Sequence, residues 1–130
     1  EKGVDVITTN SRSGDLRWGL VTYDNGFVNN STSDSQRESY VEELSKGIFR
    51  VYFNVMEGTN TKPSRILILP DWAVPMFNSW QFCTIRTSSG AAFATVDIIG
   101  RTGSKPGVVV GLNWDNRSSW AVGNVTYSLY

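Results

Sequence analysis

The chain contains no histidine and a single cysteine, Cys83, among its 130 residues. Those two absences remove Ser–His–Asp and Cys–His triads, imidazole proton shuttles, HExxH zinc sites and Cys/His zinc cages. A lone thiol cannot close an internal disulfide. Small extracellular domains from oxidising compartments usually carry paired cysteines, so assembly in a reducing cytosol is expected. Net charge is missing too: Lys+Arg 12 against Asp+Glu 12 leaves no global field to hold a polyanion, which argues against nucleic acid and anionic membrane as partners. No apolar run approaches the length needed to span a bilayer. No segment joins a basic start, an apolar run and a small-residue cleavage site, so no signal peptide is visible. With Glu1 as its first residue, the chain is expected to be a processed product or an excised domain.

What is present is a length suited to one domain, whose folding would bury roughly two-thirds of the extended chain's area. Gly, Ser, Thr, Asn and aromatic residues are plentiful, with Trp 5, Tyr 5 and Phe 6, the mixture of short strands, turns and polar ligand-binding surfaces. The dominant pattern has period two. In Ile48–Met56, Phe49, Val51, Phe53 and Val55 alternate with Arg50, Tyr52 and Asn54, as in a half-buried strand. Ala92, Ala94, Val96 and Ile98 alternate with Phe93, Thr95, Asp97 and Ile99. Gly100–Gly107 then supplies turn chemistry before Val108–Trp114 alternates again, which predicts a hairpin with a long loop. Val125, Tyr127 and Leu129 against Asn124, Thr126, Ser128 and Tyr130 predict a C-terminal strand.

Asn25-Gly26 is a strong signal for a type I′ hairpin turn between Leu16–Tyr23 and Gly26–Asn29. Ile66–Leu69 and Phe82–Thr87 read as strands, with Asp71–Trp80 irregular between them. Over Tyr40–Leu44 two readings compete. Ser35 with Glu38 fits a capping box and Gly47 a helix stop; a strand turning at Ser45-Lys46-Gly47 fits the surrounding β pattern and is the reading adopted. Asn29–Ser35 is the best candidate for a mobile polar tip.

Strand alternation puts Thr95 and Asp97 on the face opposite the small apolar residues. If the even-numbered residues of both hairpin arms face the core, Asp97 sits opposite Val109 or Gly111, and Thr95 opposite Gly111 or Asn113. Asp97, Asn113 and Asp115 would then share an outer face. Trp114 or Trp120 could serve as a flat platform for a polyhydroxyl ligand. Asn113–Trp120 is the densest run of polar and aromatic groups, and Arg117 within it suits a phosphate or carboxylate. The plain alternative is a solvated sheet face and an ordinary hairpin loop. Trp72 and Trp80, which straddle Pro75, read as core plugs or interface residues, and Cys83 as a small buried hydrophobe. A small glycosidase would have to work with Asp97 and Asp115, or Glu57 with Asp97. Asn29, Asn30, Asn116 and Asn124 begin Asn-x-Ser/Thr sequons, at a frequency that chance explains in so Asn/Ser/Thr-rich a chain.

The second half has a recurring order of features: the strand Gly47-Ile-Phe-Arg-Val-Tyr-Phe-Asn-Val55, a Leu69-Pro70 step, Thr95-Val96-Asp97-Ile98, a Gly turn ending at Gly107, and the closure Gly123-Asn124-Val125-Thr126-Tyr127-Ser128. Over about residues 47–130 this resembles the receptor-binding head of siphophage tail proteins of the lactococcal-phage type. The resemblance implies an antiparallel β-barrel that assembles as a trimer and binds host cell-wall saccharide near the interface between protomers. Asp97 matches the acidic position of that family's strand motif. Thr95 stands where those heads carry histidine, and their paired tryptophans fall near Gly111 and Leu112, so Trp114 and Trp120 would have to replace them.

The sequence thus predicts an all-β single domain over 1–130, an antiparallel barrel of jelly-roll-like form, with residues 1–14 as a linker or neck to a preceding segment. Its expected role is non-enzymatic adhesion at the tail tip of a virion assembled in the bacterial cytoplasm. The expected partners are host cell-wall polysaccharide and two further copies in a homotrimer, with no cofactor, metal, nucleic acid or membrane. Expected ligand-binding residues are Asp97, Thr95, Asn113, Trp114, Asp115, Arg117 and Trp120. The alternatives are a protruding domain of a small viral capsid and a small carboxylate-dependent glycosidase.

Overall fold

A computed structural model of the chain describes residues 10–11, 16–31, 37–56, 58, 64–103, 105–111 and 120–130. These form strands β1 (Asn10–Ser11), β2 (Arg17–Leu20), β3 (Thr22–Tyr23), β4 (Val28–Asn29), β5 (Tyr40–Ser45), β6 (Ile48–Met56), β7 (Ser64–Ile68), β8 (Ser79–Thr87), β9 (Gly90–Ile99), β10 (Gly107–Gly111) and β11 (Ala121–Ser128), with a 3-10 turn at Asp71–Ala73. Every pairing is antiparallel, in the order β1-β2-β5-β6-β11-β8-β9-β10-β7-β3, with β4 on β6. The expected all-β, barrel-like architecture is the one observed.

The barrel nearly closes because β2 and β3 are one stretch of chain interrupted at Val21. Its first half pairs with β5 (Gly19 with Val41) and its second with β7 (Tyr23 with Leu67), so the chain itself joins the two sides of the strand order, with only the two-residue β1 lying beyond β2. Switching neighbours in this way removes the exposed edges that an open sheet would present.

The interior is set by the alternations already visible in the sequence. Phe49, Val51, Phe53 and Val55 of β6, Val96 and Ile98 of β9, and Val108 and Val110 of β10 are fully buried. Tyr127 of β11 stacks on Phe49 with ring centroids 5.6 Å apart. Burial pushes the Tyr127 phenol far up, so it stays neutral and donates to the Ala73 carbonyl at 2.6 Å. Gly123 is a required close approach: a Cβ there would lie 2.6 Å from the Phe53 ring and 3.1 Å from Ile85. Gly123→Val should therefore cost about 1–3 kcal/mol by overpacking. Urea unfolding checks this, and an unchanged midpoint would mean that the ring can swing aside.

The strand reading of Tyr40–Leu44 agrees with β5, which turns at Lys46-Gly47 into β6. The Asn-Gly turn also forms. Asn25 and Gly26 have φ of +53° and +79°, and the Phe27 N–H donates to the Asp24 carbonyl at 3.0 Å, the type I′ geometry. The hairpin predicted around it does not form. The Asp24 N–H donates to Ile66 and Arg65 Nε pairs with Asp24 at 2.7 Å, fastening the first arm to β7. The second arm goes to β6, where the Asn30 N–H and Nδ2 donate to the Asn54 carbonyl and Oδ1. Buried Asn54 is fully used there: its N–H donates to Ser39 Oγ and its Nδ2 to the Arg37 carbonyl. Residues 32–35 of the proposed polar tip, 112–114 of the last alternating run, and most of 1–14 lie outside the described residues.

Candidate functional site

Strands β8 and β9 pair over their whole length across the turn Ser88-Ser89, with Trp80 opposite Asp97, Phe82 opposite Thr95, Thr84 opposite Phe93 and Arg86 opposite Ala91. These eight side chains point away from the core. Trp80 is 77 % exposed, Phe82 76 % and Phe93 66 %. The inward residues of β8 are Ser79, Gln81, Cys83, Ile85 and Thr87, of which only Ile85 is fully buried. By hydrophobicity alone the strand faces the wrong way. The cause is its partner: Ala94, Val96 and Ile98 of β9 fill the core, and antiparallel pairing puts Cys83, Gln81 and Ser79 beside them on the same face. A strand that exposes its aromatic residues and turns its polar ones inward is a local conflict with the fold, and such conflicts concentrate where function demands them.

The hairpin register of Asp97 and Thr95 agrees with expectation: Asp97 pairs with Val109 and Thr95 with Gly111. Asp97 is half-buried between Trp80 and Val109, and no described residue donates a hydrogen bond to its carboxylate. Burial pushes its carboxyl above the ordinary value of 3.8. A carboxyl whose pKa is raised on folding destabilises the protein while ionised, and that penalty fades as pH falls through the raised value. Asp97→Asn should therefore unfold at a slightly higher temperature than the parent at pH 7, with the difference vanishing in acid. Calorimetric scans at both pH values check this; a lower melting temperature at pH 7 would show that the carboxylate is structurally paired. A half-buried carboxylate to which no described residue donates is a candidate binding group.

Of the two expected platform residues, Trp114 lies outside the described residues and Trp120 is placed away from Asp97. Trp120 adjoins Ala121, which pairs with Thr87 at the far end of β8, roughly 20 Å along the strand from the Trp80–Asp97 pair at 3.3 Å per residue. It is too far to serve as the wall beside Asp97, because it precedes the first residue of β11, which pairs with the last residue of β8. Asn113, Trp114, Asp115 and Arg117 lie outside the described residues, as does Glu57. Trp80 stands next to Asp97 and is exposed, so of the two expected roles, core plug or interface residue, the core plug does not hold. Trp72 does pack on the core, against Phe49 at 6.0 Å between ring centroids. Trp80 and Phe82 were findable: a two-residue turn at Ser88-Ser89 pairs Thr87 with Gly90, and counting outward brings Trp80 to Asp97.

The same face continues into a groove. β11 pairs with β8 only through Ala121–Thr87 and Val122–Arg86, and beyond that the strands are linked by Gln81 Nε2, which donates to the Thr126 carbonyl at 2.8 Å. Where they fork, Tyr52, Thr84, Arg86, Ala91, Val122 and Asn124 line an open groove of about 450 Å³. Arg86 and Asn124 are exposed there and make no ion pair or side-chain hydrogen bond with a described residue. Half-buried Cys83 packs against the core, and burial raises its thiol pKa, which disfavours the nucleophilic thiolate. Among the described residues no group of three or more His, Cys, Asp or Glu is placed to hold a metal ion.

Comparison of the chain with known protein families, curated proteins and solved structures finds no match.

Proposed function

We propose that this domain recognises saccharide on a cell surface without transforming it, in the manner of a receptor-binding head at the tip of a phage tail. The observation that carries the proposal is the outward-facing Trp80 beside the carboxylate of Asp97, to which no described residue donates. A sugar ring presents a face of C–H groups that stacks on indole and a rim of hydroxyls that donate to a carboxylate, and this pair offers both partners at once. Thr95 and Thr84 add neutral hydroxyls on the same face. The zero net charge of the chain suits a ligand selected by shape and hydrogen bonding rather than by field. Assembly as a homotrimer would raise a weak single-site affinity through effective concentration. The tail-tip context rests on the order of sequence features shared with siphophage heads.

A second reading has its own support. Three exposed aromatic residues on one face form the kind of apolar patch that packs against another subunit. Burying Asp97 in such an interface without a cationic partner would be costly, which favours the saccharide reading. One experiment separates them. Binding of the protein to whole Gram-positive cells, competed by extracted wall polysaccharide, should weaken about tenfold or more in Trp80→Ala, as for a central aromatic anchor. The solution mass by light scattering should not change. Retained binding with loss of the oligomer would assign the face to subunit contact and overturn its assignment to saccharide.

A further inference from the structure

Resting on the saccharide reading, we infer that the ligand is a linear glycan several units long, laid along β8 from Trp80 to the groove at Arg86, rather than a single terminal sugar. Trp80, Phe82, Thr84 and Arg86 recur every second residue on the outer face of one strand. At about 3.3 Å per residue they extend over roughly 20 Å, several times the width of one sugar ring. The track has successive platforms: Trp80, then Phe82, then Phe93 set diagonally from Phe82 across the β8–β9 ladder. A site for one sugar needs one such ring, and the further two would be exposed to no purpose.

The ends of the track differ. At one end the Asp97 carboxylate accepts hydrogen bonds beside Trp80. At the other, Arg86 donates, Asn124 both donates and accepts, and the groove gives depth for a ring substituent that the flat middle lacks. A chain lying on the face therefore has a preferred direction. Its units stack in the middle and are read by hydrogen bonds at the two ends. Affinity then grows with chain length until the track is filled, which a single-sugar pocket cannot show. Arg86 acts only on ligands long enough to reach it, whereas Trp80 acts on ligands of every length.

The test uses the whole chain and the wall polysaccharide that competes for cell binding, partially hydrolysed and separated by size. Inhibition of binding by the intact polymer is measured for fractions of one, two, three, four and more units. The expected result is a rise in molar potency of at least about tenfold between one unit and four, then a plateau. Arg86→Ala and Asn124→Ala, both at exposed positions, should lower the potency of the long fractions several-fold and leave one- and two-unit fractions unchanged. Trp80→Ala should weaken all of them. Equal molar potency of one unit and four overturns the track while leaving saccharide recognition standing. Equal loss for short and long fractions in Arg86→Ala also overturns it. Failure of the intact polysaccharide to compete at all overturns the saccharide reading itself.

Discussion

Glu43→Ala is expected to cost up to about 3–5 kcal/mol of folding stability, the upper end applying to a fully buried ion pair and the 31 % exposure of the Arg17 side chain softening the loss. The Glu43 side chain is 1 % exposed. It accepts hydrogen bonds from the Gly47 N–H at 3.0 Å, from the Arg17 N–H at 3.2 Å and from Arg17 Nε at 3.3 Å. One carboxylate thus holds the β5–β6 turn and the start of β2, the segment that closes the barrel. Alanine would leave the Gly47 N–H buried without an acceptor and the Arg17 guanidinium without a counter-charge. The carboxyl also makes stability depend on pH. Burial pushes its pKa up, but the donors from Gly47 and Arg17 outweigh that and hold it below the ordinary 4.5. The hydrogen bond from Arg65 lowers Asp24 in the same way. For a lowered carboxyl, the stabilising contribution is complete above the unfolded-state value and is lost as pH falls through the folded one. Urea midpoints should therefore drop below about pH 4.5, and less steeply in Glu43→Gln. Parallel pH profiles for parent and variant would disprove the role of Glu43.

Phe49→Ala is expected to cost a similar 3–5 kcal/mol, the range for deleting a large buried ring. Phe49 is fully buried, stacked on Tyr127 and 6.0 Å from Trp72 between centroids, with the Arg17 guanidinium 5.8 Å from its own ring centre. For a domain whose whole stability is of the order of 5–15 kcal/mol, either substitution removes a large part. The two are coupled through Arg17, which lies over the rings of Phe49 and Trp72 while it pairs with Glu43. The double variant should lose less than the sum of the singles, because the first change already frees the guanidinium that the second would release. Additive losses in urea unfolding would show that the ion pair and the aromatic cluster act independently. Neither residue lies on the outer face of β8 and β9, so saccharide binding at temperatures where the variants remain folded should be unchanged.

The candidate site was half legible. Thr95 and Asp97 were placed on the right face and in the right register, because β9 and β10 each alternate strongly and a hairpin couples their parity. The ring beside Asp97 was not foreseen. β8 carries its aromatic residues on the side that the core does not use, whereas the sequence reads Trp80 as a core plug or interface residue and Phe82 only as the start of a strand. Trp120 was a natural substitute because it follows the polar run 113–119 closely, but nearness in sequence says nothing about which end of β8 it meets.

The sequence by itself determined local quantities: most of the long strands, though Ser79 and Trp80 of β8 read as part of an irregular stretch, which residues share a face within each, and that Asn25-Gly26 turns with positive φ. Each depends on the two-residue period or on the steric freedom of one or two residues, and both act over a few bonds. The tertiary structure alone decided which strands are neighbours, so that the arms of the Asn-Gly turn part to β7 and β6 and one interrupted strand closes the barrel. It also decided which face of β8 meets solvent. Alternation says only that Trp80 and Phe82 point the same way. The direction was set by the burial of Ala94, Val96 and Ile98 on β9, because a strand with one wholly apolar face gains more from the core than β8 loses by turning its aromatic residues outward.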